Sequence, residues 1–170
     1  ENSFYDEILS NMPKIDEYTH LTSTSRVKGN YSKERYVFDL QVDIEKLTAE
    51  KKNFWNNLNN VFFSNEFWKI ISTKFRNTMN ERLKFLTDKE KEAIGDNPKI
   101  YFKSTLVKDF TKYQLGAHTD NFNKIISILF YLPEDDELKS IGTALYMPND
   151  IIEDGLARHF TREETNKLFT

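Results

Sequence analysis

The chain of 170 residues has no cysteine. A disulfide scaffold and a thiolate metal site are both excluded, and a reducing, cytoplasmic setting fits. Histidines number only three, so any imidazole chemistry must come from His20, His118 and His159. No apolar run approaches the ~18 residues a membrane span needs, and the N-terminus carries no signal-peptide pattern. Basic charge is not concentrated anywhere. The net charge is -3 with a pI of about 5.7, and Lys and Arg are scattered. That excludes a general nucleic-acid binder while leaving a nucleotide substrate open. There is no internal repeat and no low-complexity segment.

What the chain has in quantity is aromatic surface, with 14 Phe, 8 Tyr and 2 Trp. Such a content favours a packed globule over disorder. The length suits one domain with a sizeable core, spanning 1–170. Three zones are expected within it. Residues 1–97 form mainly helical support, 98–148 carry the strands, and 149–170 form a loop and a short helix. Helices first and strands later argue for an α+β fold rather than alternating α/β.

Local signals place the elements. Residues 3–11 read as a short helix ended by Pro13. Residues 14–32 are polar and read as loop, with His20 as an exposed loop residue. In the strand 35–40, Tyr36, Phe38 and Leu40 share a face. Thr48 caps a helix running to about residue 60 that presents Phe54, Trp55 and Leu58. Ser64 caps the longest helix, whose stripe of Phe67, Ile71, Phe75, Met79 and Leu83 predicts one buried face. Thr87 and Glu90 make a capping box closed by Gly95 and Pro98. Strands are expected over 99–108, 113–117, 124–133 and 142–147, with an acidic turn at 134–139. Thr161 and Glu164 start a last short helix.

The stretch 113–148 carries the chemistry. His118 and Asp120 are two residues apart, which would diverge on a helix but share a face on an extended segment. An imidazole and a carboxylate converging from one strand end are two of the three ligands of a 2-His-1-carboxylate triad, which suits non-haem Fe(II). Thr119 then points away. In the following run Ile126, Ile128, Phe130 and Leu132 are uniformly apolar, while Ile125, Ser127, Leu129 and Tyr131 are mixed. A strand apolar on both faces is buried on both sides. Parity sends Tyr131 and Ser127 into a barrel interior and Ile128 and Phe130 against helices.

Gly116-Ala117-His118-Thr119-Asp120, the ISILFYLP run at 126–133 and Gly142-Thr143-Ala144-Leu145-Tyr146 together resemble the 2-oxoglutarate and Fe(II)-dependent dioxygenases, in particular their prolyl-4-hydroxylase-like branch. The resemblance covers about 40 residues closely. It implies a double-stranded β-helix, or jelly roll, with His118 and Asp120 as catalytic iron ligands. It also implies that Tyr131 reaches the 2-oxoglutarate carboxylate, and that O2 and a further substrate are the partners. A Tyr frequent about ten residues before the first ligand is replaced by Lys108, with Tyr113 nearby as the remaining cofactor-binding candidate. The family's second iron His and its carboxylate-anchoring Arg or Lys have no counterpart after Tyr146. The chain therefore reads as a jelly roll without its C-terminal strands, its C-terminal residues poorly anchored. His159, the only histidine after the dyad, is weighed as the third ligand, which would need it opposite the dyad across the barrel, and reads instead as a loop or helix-start residue. The alternatives are a catalytically inactive jelly-roll binding or structural domain, and a cupin-like or other metal enzyme without 2-oxoglutarate.

Overall fold

The computed structural model of the chain describes residues 3–24, 35–84, 86–96, 99–110, 116–120, 123–133, 142–147, 149 and 159–168. Among them the fold is α+β, with six α-helices and one three-stranded antiparallel sheet. No described helix is long and apolar enough to cross a membrane. The chain divides into two compact units, Glu1–Asn77 with Lys99–Gln114, and Thr78–Pro98 with Leu115–Thr170.

The first unit holds the main core. Strand β1 (Thr19–His20), strand β2 (Arg35–Asp39) and strand β3 (Thr105–Asp109) lie in that order, with β2 in the middle. The register pairs Val37 with Thr19 on one side and with Val107 on the other. As expected from parity, Phe38 and Leu40 enter the core and Tyr36 packs against it. Phe38 is 0% exposed and Leu40 2%. Burying side chains of this size contributes roughly 1.5–3 kcal/mol each. Tyr18, Ile44, Leu47 and Trp55 complete the cluster. Asp39, though buried, is satisfied: Lys103 Nζ lies 2.9 Å from its carboxylate and the Gln41 N–H donates to it at 3.1 Å. Arg35 and Asp109 close the β2–β3 edge with two parallel hydrogen bonds of 2.6 Å.

Two helices of this unit begin at the caps expected for them, Thr48 and Ser64, and the first on a capping box of its own. Helix α1 (Phe4–Ser10) opens on a Ser3–Asp6 capping box. Helix α2 (Ala49–Phe62) opens on the Thr48 hydroxyl, and α3 (Asn65–Lys74) on that of Ser64. The Trp55 indole N–H donates to the Asn11 carbonyl at 2.8 Å, which satisfies a buried donor and fixes α2 against the end of α1.

Several expectations are corrected. The long helix after Ser64 is interrupted at Phe75, and α4 (Arg76–Lys84) follows as a separate element. Its stripe is not a buried face, because Phe75 and Leu83 are exposed. Phe67 and Trp68 at its start pack against Phe62 and Phe102, but the exposed residues from Phe75 on give the helix little to oppose a break. His20 is not in a loop. It ends β1, its ring edge-on to Tyr36 at 4.8 Å, because pairing with β2 captures it. Of the strand expected over 99–108, only Thr105–Asp109 pairs, since β2 offers five partners.

In the second unit, Thr87 and Glu90 form the expected capping box of α5 (Asp88–Ile94), which ends on Gly95 at φ 74°. Only glycine holds that left-handed value cheaply. The run 124–133, expected as a strand buried on both faces, is not a strand among the described residues. Ile128, Leu129, Phe130 and Tyr131 are all exposed, Phe130 at 66%. Residues 142–147 likewise lie in no strand among the described residues, with Leu145 at 93%. A strand gains its stability from cross-strand neighbours, and alternation alone buries nothing. Thus neither face of 124–133 packs as parity predicts. The strand expected over 113–117 is described only at Gly116 and Ala117, and Tyr113 and the acidic turn at 134–139 lie outside the described residues.

Candidate metal centre

The site is built on one rung of antiparallel pairing within the second unit. The Phe160 N–H donates to the Ala117 carbonyl at 2.9 Å, and His118 faces His159 across the resulting bridge. Ala117 and Phe160 are buried, whereas His118 and His159 are exposed. That is the alternation an extended segment imposes, with each pair on its own face. Gly116 admits this approach. A Cβ there would lie 3.3 Å from the Phe160 carbonyl oxygen, so a side chain would press on the rung.

His118 Nδ1 lies 3.0 Å from the Gly116 carbonyl oxygen. A carbonyl only accepts, so in the neutral ring Nδ1 carries the proton and Nε2 keeps the lone pair. A backbone carbonyl holding the far N–H of a histidine is the usual support of a metal ligand. The two imidazoles stack, with centroids 5.2 Å apart and planes at 15°.

Asp120 follows on the same extended segment and is half-buried. Its Oδ1 accepts from Lys124 Nζ at 2.8 Å and its Oδ2 from the Ser127 hydroxyl at 3.4 Å. Burial pushes its carboxyl up, but the hydrogen bond and charge of Lys124, then His118 and Ser127, together hold it below the usual carboxylate range. The carboxylate is therefore ionised at neutral pH and available to a cation. The donor types at His118 and Asp120 fit a divalent ion that accepts nitrogen and oxygen. Among the described residues, no group of three or more His, Asp or Glu side chains is gathered closely enough to hold one.

The Tyr131 hydroxyl hydrogen-bonds that of Thr143, which ties 124–133 to 142–147. The C-terminal segment is better anchored than expected. Phe160 is 6% exposed. Thr161 and Glu164 cap α6 (Arg162–Leu168) reciprocally, and the Asn149 N–H donates to the Leu168 carbonyl at 2.8 Å. His159 does lie just before a helix start, but its place opposite His118 is the feature that sequence reasoning missed. The signal available was the alternation of polar His159, apolar Phe160 and capping Thr161, mirroring Ala117-His118. Lys124, four residues after Asp120, was also passed over.

No protein-family model matches the chain, and no curated protein and no solved structure is similar to it at a significant level.

Proposed function

We propose that the chain is an Fe(II)- and 2-oxoglutarate-dependent oxygenase that hydroxylates a C–H bond of its substrate, on a jelly-roll core. The observation that carries the reading is the pair His118 and Asp120. One is an imidazole whose Nδ1–H is held by the Gly116 carbonyl, the other a carboxylate kept ionised two residues on. The pair stands in the Gly-Ala-His-Thr-Asp context that the family shares.

In this reading His118 offers Nε2 to the ion, and Asp120 offers a carboxylate that offsets its charge. The Gly116 carbonyl fixes the tautomer of His118 and the orientation of its ring. Lys124 and Ser127 fix the orientation of the Asp120 carboxylate. Tyr131 offers a phenol to the cosubstrate carboxylate once it leaves Thr143. When bound, iron supplies the redox chemistry: O2 and 2-oxoglutarate give succinate and CO2, and one oxygen atom enters the C–H bond of the substrate.

The test is succinate release from 2-oxoglutarate by the purified chain with Fe(II) and O2. Release by the wild type, reduced to background in His118→Ala and Asp120→Ala, is the expected result. Equal release by Asp120→Ala would refute the reading. The second reading is a jelly-roll domain that binds or scaffolds without catalysis. It draws on the absence of a gathered third donor among the described residues, and predicts no succinate from any variant.

A further inference from the structure

Asp120 carries a cation of its own chain, because Lys124 Nζ lies 2.8 Å from its Oδ1. We infer that Lys124 is a positioning residue that serves as a stand-in cation. It keeps the Asp120 carboxylate oriented and charge-balanced in the metal-free chain, and it withdraws when a divalent ion binds there. The inference rests on the proposal that Asp120 is a metal ligand, and it names the residue that sets how tightly the ion is held.

The two donors on the carboxylate differ in charge. Among the described residues, Lys124 is the one cation in ion-pair contact with Asp120. The Ser127 hydroxyl on Oδ2, at 3.4 Å, is neutral. A neutral donor orients a ligand carboxylate and can stay in place when an ion binds. An ammonium on the same carboxylate repels a doubly charged ion placed beside it. Lys124 therefore competes for the negative charge that the ion needs. Its action is confined to one donor, since the His118 ring is held from the other side of the site by the Gly116 carbonyl.

Exposure decides that Lys124 gives way rather than locks the site. Its side chain is 57% exposed and that of Asp120 39%. An exposed pair is weak, equivalent to at most about a fivefold factor in an equilibrium constant. A lysine ammonium on its flexible stem returns readily to water. A fully buried pair would instead be costly to break.

Co(II), a redox-stable substitute for Fe(II), tests this without turnover. The full chain is titrated with Co(II) by calorimetry as wild type, Lys124→Met and Lys124→Gln. The methionine removes both charge and donor, and the glutamine removes the charge but keeps a donor. The inference predicts that both variants bind Co(II) about 3–10-fold more tightly than the wild type. A purely supporting role predicts the opposite sign, a loss of roughly 10–100-fold in Lys124→Met. The second readout is acetylation of surface amines followed by mass spectrometry. Co(II) should speed the labelling of Lys124 in the wild type and leave that of exposed Lys69 unchanged. Equal or weaker Co(II) affinity in Lys124→Met, or labelling of Lys124 that Co(II) does not raise, would overturn the inference and leave the proposed function standing. Failure of the folded wild type to bind Co(II) would overturn both.

Discussion

The unit of Glu1–Asn77 and Lys99–Gln114 and the unit of Thr78–Pro98 and Leu115–Thr170 use similar residues to different ends. In the first, Tyr18, Phe38, Leu40, Ile44, Leu47 and Trp55 bury one another around a three-stranded sheet. In the second, the buried apolar residues among those described are Leu86, Ala117 and Phe160, while the richest apolar run of the chain lies exposed. The difference is pairing. Strand β2 has a neighbour on both sides, so both its edges are paired, and Phe38 packs into the core cluster. Residues 124–133 lie in no strand among those described. The candidate metal donors belong to the sparsely packed unit, where a single rung and short-range hydrogen bonds hold them. Regions with few buried contacts open at low free-energy cost.

Mutation can break this comparison, and the largest expected effect is in the first unit. Phe38→Ala removes a fully buried ring at the centre of the sheet and should destabilise it by about 3–5 kcal/mol in urea unfolding. A loss below about 1 kcal/mol would mean that the core lies elsewhere. A smaller effect of opposite sign is expected at Tyr18. Its buried hydroxyl has no hydrogen-bond partner among the described residues. Tyr18→Phe should therefore raise stability by about 1 kcal/mol. Burial, with Glu17 adding repulsion, pushes the phenol up to about 12. The folded state holds this proton more tightly than the unfolded one, whose phenol ionises near ~10. Stability from Tyr18 is thus complete below pH ~10 and is lost as pH rises towards about 12. Alkaline unfolding should begin at lower pH in the wild type than in Tyr18→Phe. The smallest effect is expected at Phe130 in the second unit, where Phe130→Ala should change stability by no more than about 0.5 kcal/mol. A cost of about 3 kcal/mol there would instead support a strand buried on both faces.

Much of the first unit was legible because its signals are local. The hydroxyl caps at Thr48 and Ser64 and the alternation of Tyr36, Phe38 and Leu40 are read from a few consecutive residues, and all three recur in the structure. The stripe from Phe67 to Leu83 shows the limit. Periodicity states which residues share a face, but whether that face is covered depends on what packs there. The same limit applies at 124–133. At the candidate site, the shared segment of His118 and Asp120 follows from spacing, whereas the approach of His159 follows from the rung between Ala117 and Phe160. The alternation of His159 and Phe160 mirrors that of Ala117 and His118, but nothing local says that these two segments meet.

The central claim is that His118 and Asp120 hold iron. Anaerobic equilibrium dialysis of Fe(II) against the wild type, His118→Ala and Asp120→Ala tests it most directly. The account predicts saturable binding of a single ion by the wild type, and a loss of roughly 100-fold or more in affinity in each variant. Retention of wild-type affinity by folded Asp120→Ala would contradict it.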